Sequence, residues 1–192
     1  MTDSLTEQIL RVTDKLAAAR ELPAAAKAFG ADSHGFHLGP PVPEAEVAAF
    51  EERHGVTLPA EYRAFVTRVG HGGPGPQGGA GPFYGLLPLD RWAEALELEP
   101  TDTVLATPFP VDPDFAYLDW WSEVGLGVDD EPFPGAIALG HEGCGHLSVL
   151  VVTGAARGRV SSTYWDGAGP QLSPAPDFLS WYENWLDTVL AG

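Results

Sequence analysis

The sequence has few of the features that mark disulfide-bonded, exported or membrane-spanning proteins. Its one cysteine, Cys144, excludes an internal disulfide. Its longest dense apolar run covers residues 147–152, far short of the roughly 20 residues that cross a bilayer. Residues 1–7 are polar and acidic, and they contain neither the basic nor the apolar region of a secretory signal. We therefore expect a cytoplasmic protein.

Basic residues are also scarce. The chain has 10 Lys and Arg against 27 Asp and Glu, a formal net charge of −17. Residues 92–156 carry most of the imbalance, with 12 acidic residues and no lysine or arginine. Such a surface repels the phosphates of nucleic acids and anionic lipids, so we expect neither as a partner. It attracts basic proteins and speeds their encounter, or it serves only to keep the protein in solution.

Apolar and aromatic residues, in contrast, are plentiful. Of the 192 residues 44% are hydrophobic, and six are tryptophans. This composition is typical of a globular protein, and a chain this long buries a sufficient core without a disulfide or a metal ion. We expect one domain over residues 1–192, with no inter-domain linker and no cofactor.

Apolar residues recur at helical spacing in the N-terminal third. Leu5, Ile9, Val12 and Leu16 follow one another at steps of three and four, which places them on one face of a helix. Prolines at the start and glycines at the end bound two further helical segments. The three predicted helices cover residues 5–20, 43–54 and 59–69.

Glycine and proline interrupt the middle of the chain. Residues 70–82 hold seven glycines and three prolines, which predicts a mobile loop. The loop lacks the Gly-Lys-Ser/Thr ending of a phosphate-binding loop, so it is either a flexible flank of a partner groove or solvent-exposed filler. A strand over residues 83–89 and a short helix over residues 91–98 are predicted next, followed by an irregular excursion over residues 100–134.

The C-terminal third predicts a small sheet and a last helix. The strands are residues 136–139, 147–152 and 159–165, and the amphipathic helix covers residues 178–189. Short turns between successive strands favour antiparallel pairing. The sequence thus predicts an α+β fold in which N-terminal helices pack on a mainly antiparallel sheet, closed by a C-terminal amphipathic helix.

An ordered set of short motifs accompanies these elements. A proline precedes a Phe-Glu pair and a glycine, then come Leu-Pro-x-x-Tyr-x-x-Phe, a glycine-rich turn, a strand that ends in glycine, and Gly-Cys-Gly. The positions are Pro43, Phe50, Glu51, Gly55, Leu58, Pro59, Tyr62, Phe65, Gly72, Gly73, Gly140, Gly143 and Gly145. This set resembles the SUKH superfamily of the Smi/Knr type, with residues 40–192 as the family-like core and residues 1–39 as a helical extension.

The resemblance implies a structural role for these positions and a compact α+β domain with no conserved catalytic residues. Bacterial members of the superfamily are commonly immunity proteins, which bind and neutralise a toxin made beside them. Fungal members act as scaffolds in cell-wall regulation. The resemblance therefore implies a protein partner, either a basic toxin domain or the target of a regulatory scaffold.

Residues 141–146, His-Glu-Gly-Cys-Gly-His, form the one cluster that suggests chemistry. Zinc accepts such ligands, but common structural sites pair two sets far apart in sequence, and no second pair exists here. Cys144 could act as the nucleophile of a hydrolase if His146 were its base, since alternate residues of a strand share a face. A glycine-rich turn between two strands is the interpretation we adopt.

The residues with the strongest indication of partner binding lie in the acidic middle of the chain. Carboxylates would face a basic protein surface, and neighbouring tryptophans cannot both point inward from a regular strand, so one is a candidate anchor. The alternative is that both tryptophans pack into an irregular core. The candidate residues are Asp112, Asp114, Asp119, Trp120, Trp121, Asp129, Asp130 and Glu131.

Overall fold

The computed structural model describes residues 2–75, 78–96, 103–111, 113, 133–164 and 170–192. Helices precede an antiparallel sheet and a last helix follows it, so the predicted α+β fold is confirmed. The helices are α1 (Thr2–Glu21), α2 (Ala31–His34), α3 (Glu44–His54), α4 (Ala60–Arg68) and α5 (Phe178–Ala191). The strands are β1 (Ala136–Gly143), β2 (His146–Val151), β3 (Val160–Tyr164) and β4 (Gln171–Leu172).

The long helices form where the apolar spacing predicts them. Ile9, Val12 and Leu16 of α1 are all buried, and α1 packs along α5 and against α4. Proline stands at the N-cap of both α3 and α4, where its missing N–H costs nothing. In the part of the chain that the structure describes, no helix combines the length and the apolar character needed to cross a bilayer.

The four strands form an antiparallel meander in the order β1-β2-β3-β4. In β2, Leu147 to Val151 are all buried, as their continuous apolar character predicts. Ile137 of β1 is opposite Leu150, which in turn is opposite Val160 of β3. The two-residue strand β4 escaped prediction because a segment that short has no detectable periodicity.

The predicted strand over residues 83–89 is wrong. Residues 83 and 84 lie in a turn, and the segment makes one isolated bridge, between Leu86 and Gly79. Positive φ angles at Phe83 (53°) and Gly85 (105°) break the extended conformation. The segment still contacts the sheet, because Leu87 N donates to Leu139 O at 2.7 Å.

The glycine-rich segment is not solvent-exposed filler. Residues 78–81 are buried, and the Gly79 Cα lies so close to the carbonyl of Gly72 that a side chain at position 79 would collide with it. The glycines thus allow two stretches of backbone to touch. The helix predicted after them is replaced, within the described residues, by two 3₁₀ turns (Leu89–Arg91 and Glu94–Leu96), although Trp92 and Leu96 are buried as expected.

Aromatic rings fill the space between the helices and the sheet. The Phe65 ring of α4 lies 5.1 Å from that of Phe178 and 4.7 Å from that of Tyr182, both on α5. Burial raises the pKa of Tyr182 well above its usual value, and its hydroxyl donates to Ala80 O at 2.8 Å. This bond ties α5 to the glycine-rich segment.

Candidate functional site

The predicted partner-binding residues fall outside the part of the chain that the structure describes. The acidic positions and the tryptophan pair therefore stay a prediction. They are Asp112, Asp114, Asp119, Trp120, Trp121, Asp129, Asp130 and Glu131.

The described residues on either side of this acidic stretch meet at one end of the sheet. Phe109 and Phe133 are both buried. Phe109 N donates to Thr153 O at 2.8 Å, and Gly135 O accepts from Val152 N at 2.7 Å. The described residues before and after the acidic stretch are thus both bonded to the turn that follows β2.

The cluster over residues 141–146 is the turn of the β1–β2 hairpin. Cys144 is exposed and lies between the strands, with a left-handed φ of 53°. The strand alternation that would place Cys144 and His146 on one face therefore does not apply. Gly143 and Gly145 also have positive φ, so the turn needs glycine at both positions.

The carboxylate of this hairpin is held by hydroxyl groups. Glu142 Oε1 accepts from Ser148 Oγ at 2.6 Å and from Ser162 Oγ at 2.7 Å, which joins β1 to β2 and β3. Among the described residues, no group of three or more His, Cys, Asp or Glu side chains is arranged to hold a metal ion. The geometry favours cross-strand stabilisation as the role of Glu142.

An apolar groove opens where α5 meets the segment after α1. It has a volume of about 710 Å³. Trp185 lies on its wall, held 6.0 Å from the ring of Phe36 and 5.2 Å from that of Tyr182. Trp185 is thus only partly buried. The lining residues are Ala24, Lys27, Ala28, Phe29, Pro82, Phe83, Trp185, Thr188, Val189 and Gly192.

Phe29 separates this groove from a second one of about 620 Å³. Its side chain is 60% exposed, and its ring packs edge-on against Tyr84 with the centroids 5.0 Å apart. Asp32 and Ser33 lie in the second groove. The two grooves and the ridge between them are called the Phe29 surface below.

Comparison with known proteins identifies the core of the chain. Residues 41–184 match the SMI1 / KNR4 family (SUKH-1). The chain belongs to this family. Searches of the curated proteins and of the solved structures find no match.

The SUKH-1 core explains the Phe-Glu and Leu-Pro motifs as one junction between α3 and α4. Glu51 Oε1 accepts from Leu58 N at 2.8 Å, and the same carboxylate pairs with Arg63 of α4 at 3.4 Å. Gly55 ends α3 in a left-handed conformation, with φ 63°. The turn between the helices is therefore closed by a carboxylate.

The other motif positions of the SUKH-1 core have packing roles. Phe50 packs against Trp92 with ring centroids 6.5 Å apart. Tyr62 and Phe65 face α5. Gly73 and Gly140 lie against the backbones of Gly79 and Gly85, where a Cβ atom has no room.

The Phe29 surface lies mostly outside the family match. Of its lining residues only Pro82, Phe83 and Tyr84 fall within residues 41–184. The segment after α1 and the end of α5 supply the rest. The surface is thus built mainly from residues on either side of the family match.

The sequence analysis missed this surface. Its signal was weak: a lone phenylalanine, Phe29, in an alanine-rich stretch, and Phe83 after a run of glycine and proline. Neither residue stands out in the sequence, since a single aromatic residue is more often part of a core. Only their exposure in the folded chain distinguishes them.

Proposed function

We propose that this SUKH-1 protein is a non-enzymatic binding module that neutralises a cognate toxin by direct contact. The observation that carries the proposal is the family membership of residues 41–184, together with the immunity role that the resemblance implies for bacterial members. On this proposal the protein acts in the cytoplasm.

The charge distribution supports a basic partner. Residues 92–156 carry 12 acidic residues and no basic one. In the proposed mechanism, carboxylates between Asp112 and Glu131 cover a basic toxin surface, and Trp120 or Trp121 anchors the contact. Charge complementarity of this kind accelerates association and selects against acidic partners.

Co-expression with the product of an adjacent toxin-like gene tests the proposal. We expect restored growth of the host and a complex that survives size-exclusion chromatography. If neither a complex nor protection is found, toxin neutralisation is wrong. A complex without protection would instead indicate the regulatory scaffold.

Two triple variants, each of which removes three negative charges, test the acidic stretch itself. The triple variant Asp129→Asn, Asp130→Asn, Glu131→Gln should lower the association rate about tenfold at low salt, measured by stopped-flow. The matched control is Asp14→Asn, Glu21→Gln, Glu52→Gln, which removes the same charge from exposed positions elsewhere. Equal effects of the two triples would show that bulk charge, rather than this stretch, steers the partner.

A further inference from the structure

The Phe29 surface holds its aromatic residues outward at a conformational cost. Phe29 is 60% exposed and Phe83 is 43% exposed. Phe83 has a φ of 53°, which is unfavourable for a bulky residue. The carbonyl oxygen of Phe83 lies against Gly30, and a Cβ atom at position 30 would collide with that oxygen. Two rings are thus presented to solvent by a fixed backbone, which is the arrangement of a contact surface.

The charges of the surface are opposite in sign. Lys27 lines both grooves, and Asp32 lies in the second groove. Neither side chain makes a hydrogen bond or salt bridge to a described residue. Seven of the other nine basic side chains are bound within the described residues, whereas Lys27, like Arg53 and Arg68, has no such bond there. The surface is therefore close to neutral on a chain with net charge −17.

We infer that the Phe29 surface is the contact between two copies of this chain in a twofold dimer. A twofold contact uses one patch twice, so the patch must complement itself. This one carries a projecting ring beside a groove of about 710 Å³, and a cation beside an anion. In such a dimer we expect each Phe29 to enter the other copy's groove and each Lys27 to face the other copy's Asp32.

Electrostatics favours a second copy at this place. Two chains of charge −17 repel each other over most of their surfaces. A near-neutral patch with both signs of charge lets them meet without that penalty. A basic partner, in contrast, gains more from the acidic residues 92–156. The inference is independent of the proposed function, because dimerisation is measured without any toxin.

Analytical ultracentrifugation of the full chain tests the dimer. From low micromolar to several hundred micromolar protein, we expect a reversible monomer–dimer equilibrium. Phe29→Asp should abolish the dimer, because it buries a charge in an apolar groove. Leu10→Asp is the matched control, since Leu10 is 59% exposed on α1 and away from the grooves, and it should dimerise like the parent chain. Circular dichroism checks that each variant is folded.

A charge exchange tests the twofold arrangement. Lys27→Asp and Asp32→Lys should each weaken dimerisation about tenfold, since each places like charges opposite one another. The double variant should restore it, because the pair is re-formed with reversed sign. A parent chain that is monomeric at every concentration overturns the inference. A dimer that survives Phe29→Asp, or a double variant that fails to recover, also overturns it.

Discussion

At the scale of single residues, Glu51 shows how one side chain joins two successive helices. The N–H of buried Leu58 precedes α4, so no helical carbonyl accepts from it. Glu51 supplies the acceptor from α3 and also binds Arg63, which in turn pairs with Glu44 at 2.6 Å. The Phe-Glu and Leu-Pro motifs thus encode a hydrogen bond between α3 and the start of α4. The spacing of apolar residues alone does not reveal this bond.

Removing this carboxylate should destabilise the protein. Glu51→Ala leaves the Leu58 N–H without its acceptor, and we expect the free energy of unfolding to fall by about 1–3 kcal/mol in urea titrations. Glu52→Ala is the control, because Glu52 is exposed and its loss should change stability by less than about 0.5 kcal/mol. Equal losses in the two variants would contradict this role.

At the scale of elements, α1 and α5 pack through apolar side chains and through one largely buried carboxylate, that of Glu183. Glu183 of α5 accepts from Arg11 at 3.0 Å, from Lys15 at 3.0 Å and from Gln8 at 3.2 Å. Burial would raise the pKa of Glu183, but these three donors outweigh it and lower the pKa to about 2. Lys15 also pairs with Asp187, so α1 holds the last helix at two successive turns.

The depressed pKa of Glu183 predicts a dependence of stability on acid. The Glu183 carboxylate takes up a proton near pH 4.5 in the unfolded chain and only near pH 2 in the folded chain. Its contribution to the free energy of unfolding is therefore complete above pH 4.5 and is lost as the pH falls from 4.5 to 2. Glu183→Gln should therefore lose less stability than the parent chain between these two pH values, measured by thermal unfolding. Asp14→Asn, at an exposed position of α1, should keep the parental profile. An unchanged slope in Glu183→Gln would refute the coupling.

At the scale of the whole molecule, the N-terminal extension and the SUKH-1 core share one interior. The hydrophobic cluster runs from Ile9 of α1 to Leu186 of α5 and includes the sheet. A smaller cluster around Phe36 and Val189 covers the segment after α1. We propose that residues 1–192 form a single domain, because α5 contributes buried residues to both clusters.

A single domain should unfold in one step. In urea, tryptophan fluorescence and far-ultraviolet circular dichroism should give coincident transitions, since Trp92 and Trp185 report on different regions of the same core. Two separated transitions would show that the extension folds independently. Deletion of residues 1–39 should lower the midpoint, because it exposes the apolar faces of α4 and α5.

The helices and the class of fold were open to prediction from the sequence because both depend on local periodicity. Val12 and Leu16 are buried as their spacing requires, and the continuous apolar run of β2 is buried throughout. The hairpin turn at residues 143–145 was also predictable, since glycine on both sides of Cys144 favours a reversal of the chain. The acidic partner-binding residues remain at the stage of prediction.

What the sequence determined by itself is therefore the long helices, the three longer strands, the family and the sign of the net charge. Only the tertiary structure decided that residues 83–89 do not form a strand and that Phe29 and Phe83 face solvent. The reason is physical: the Phe29 surface joins residues 24–33, 82–84 and 185–192, and its exposure depends on how these distant segments pack. Periodicity reports on neighbours along the chain and contains no information on that packing.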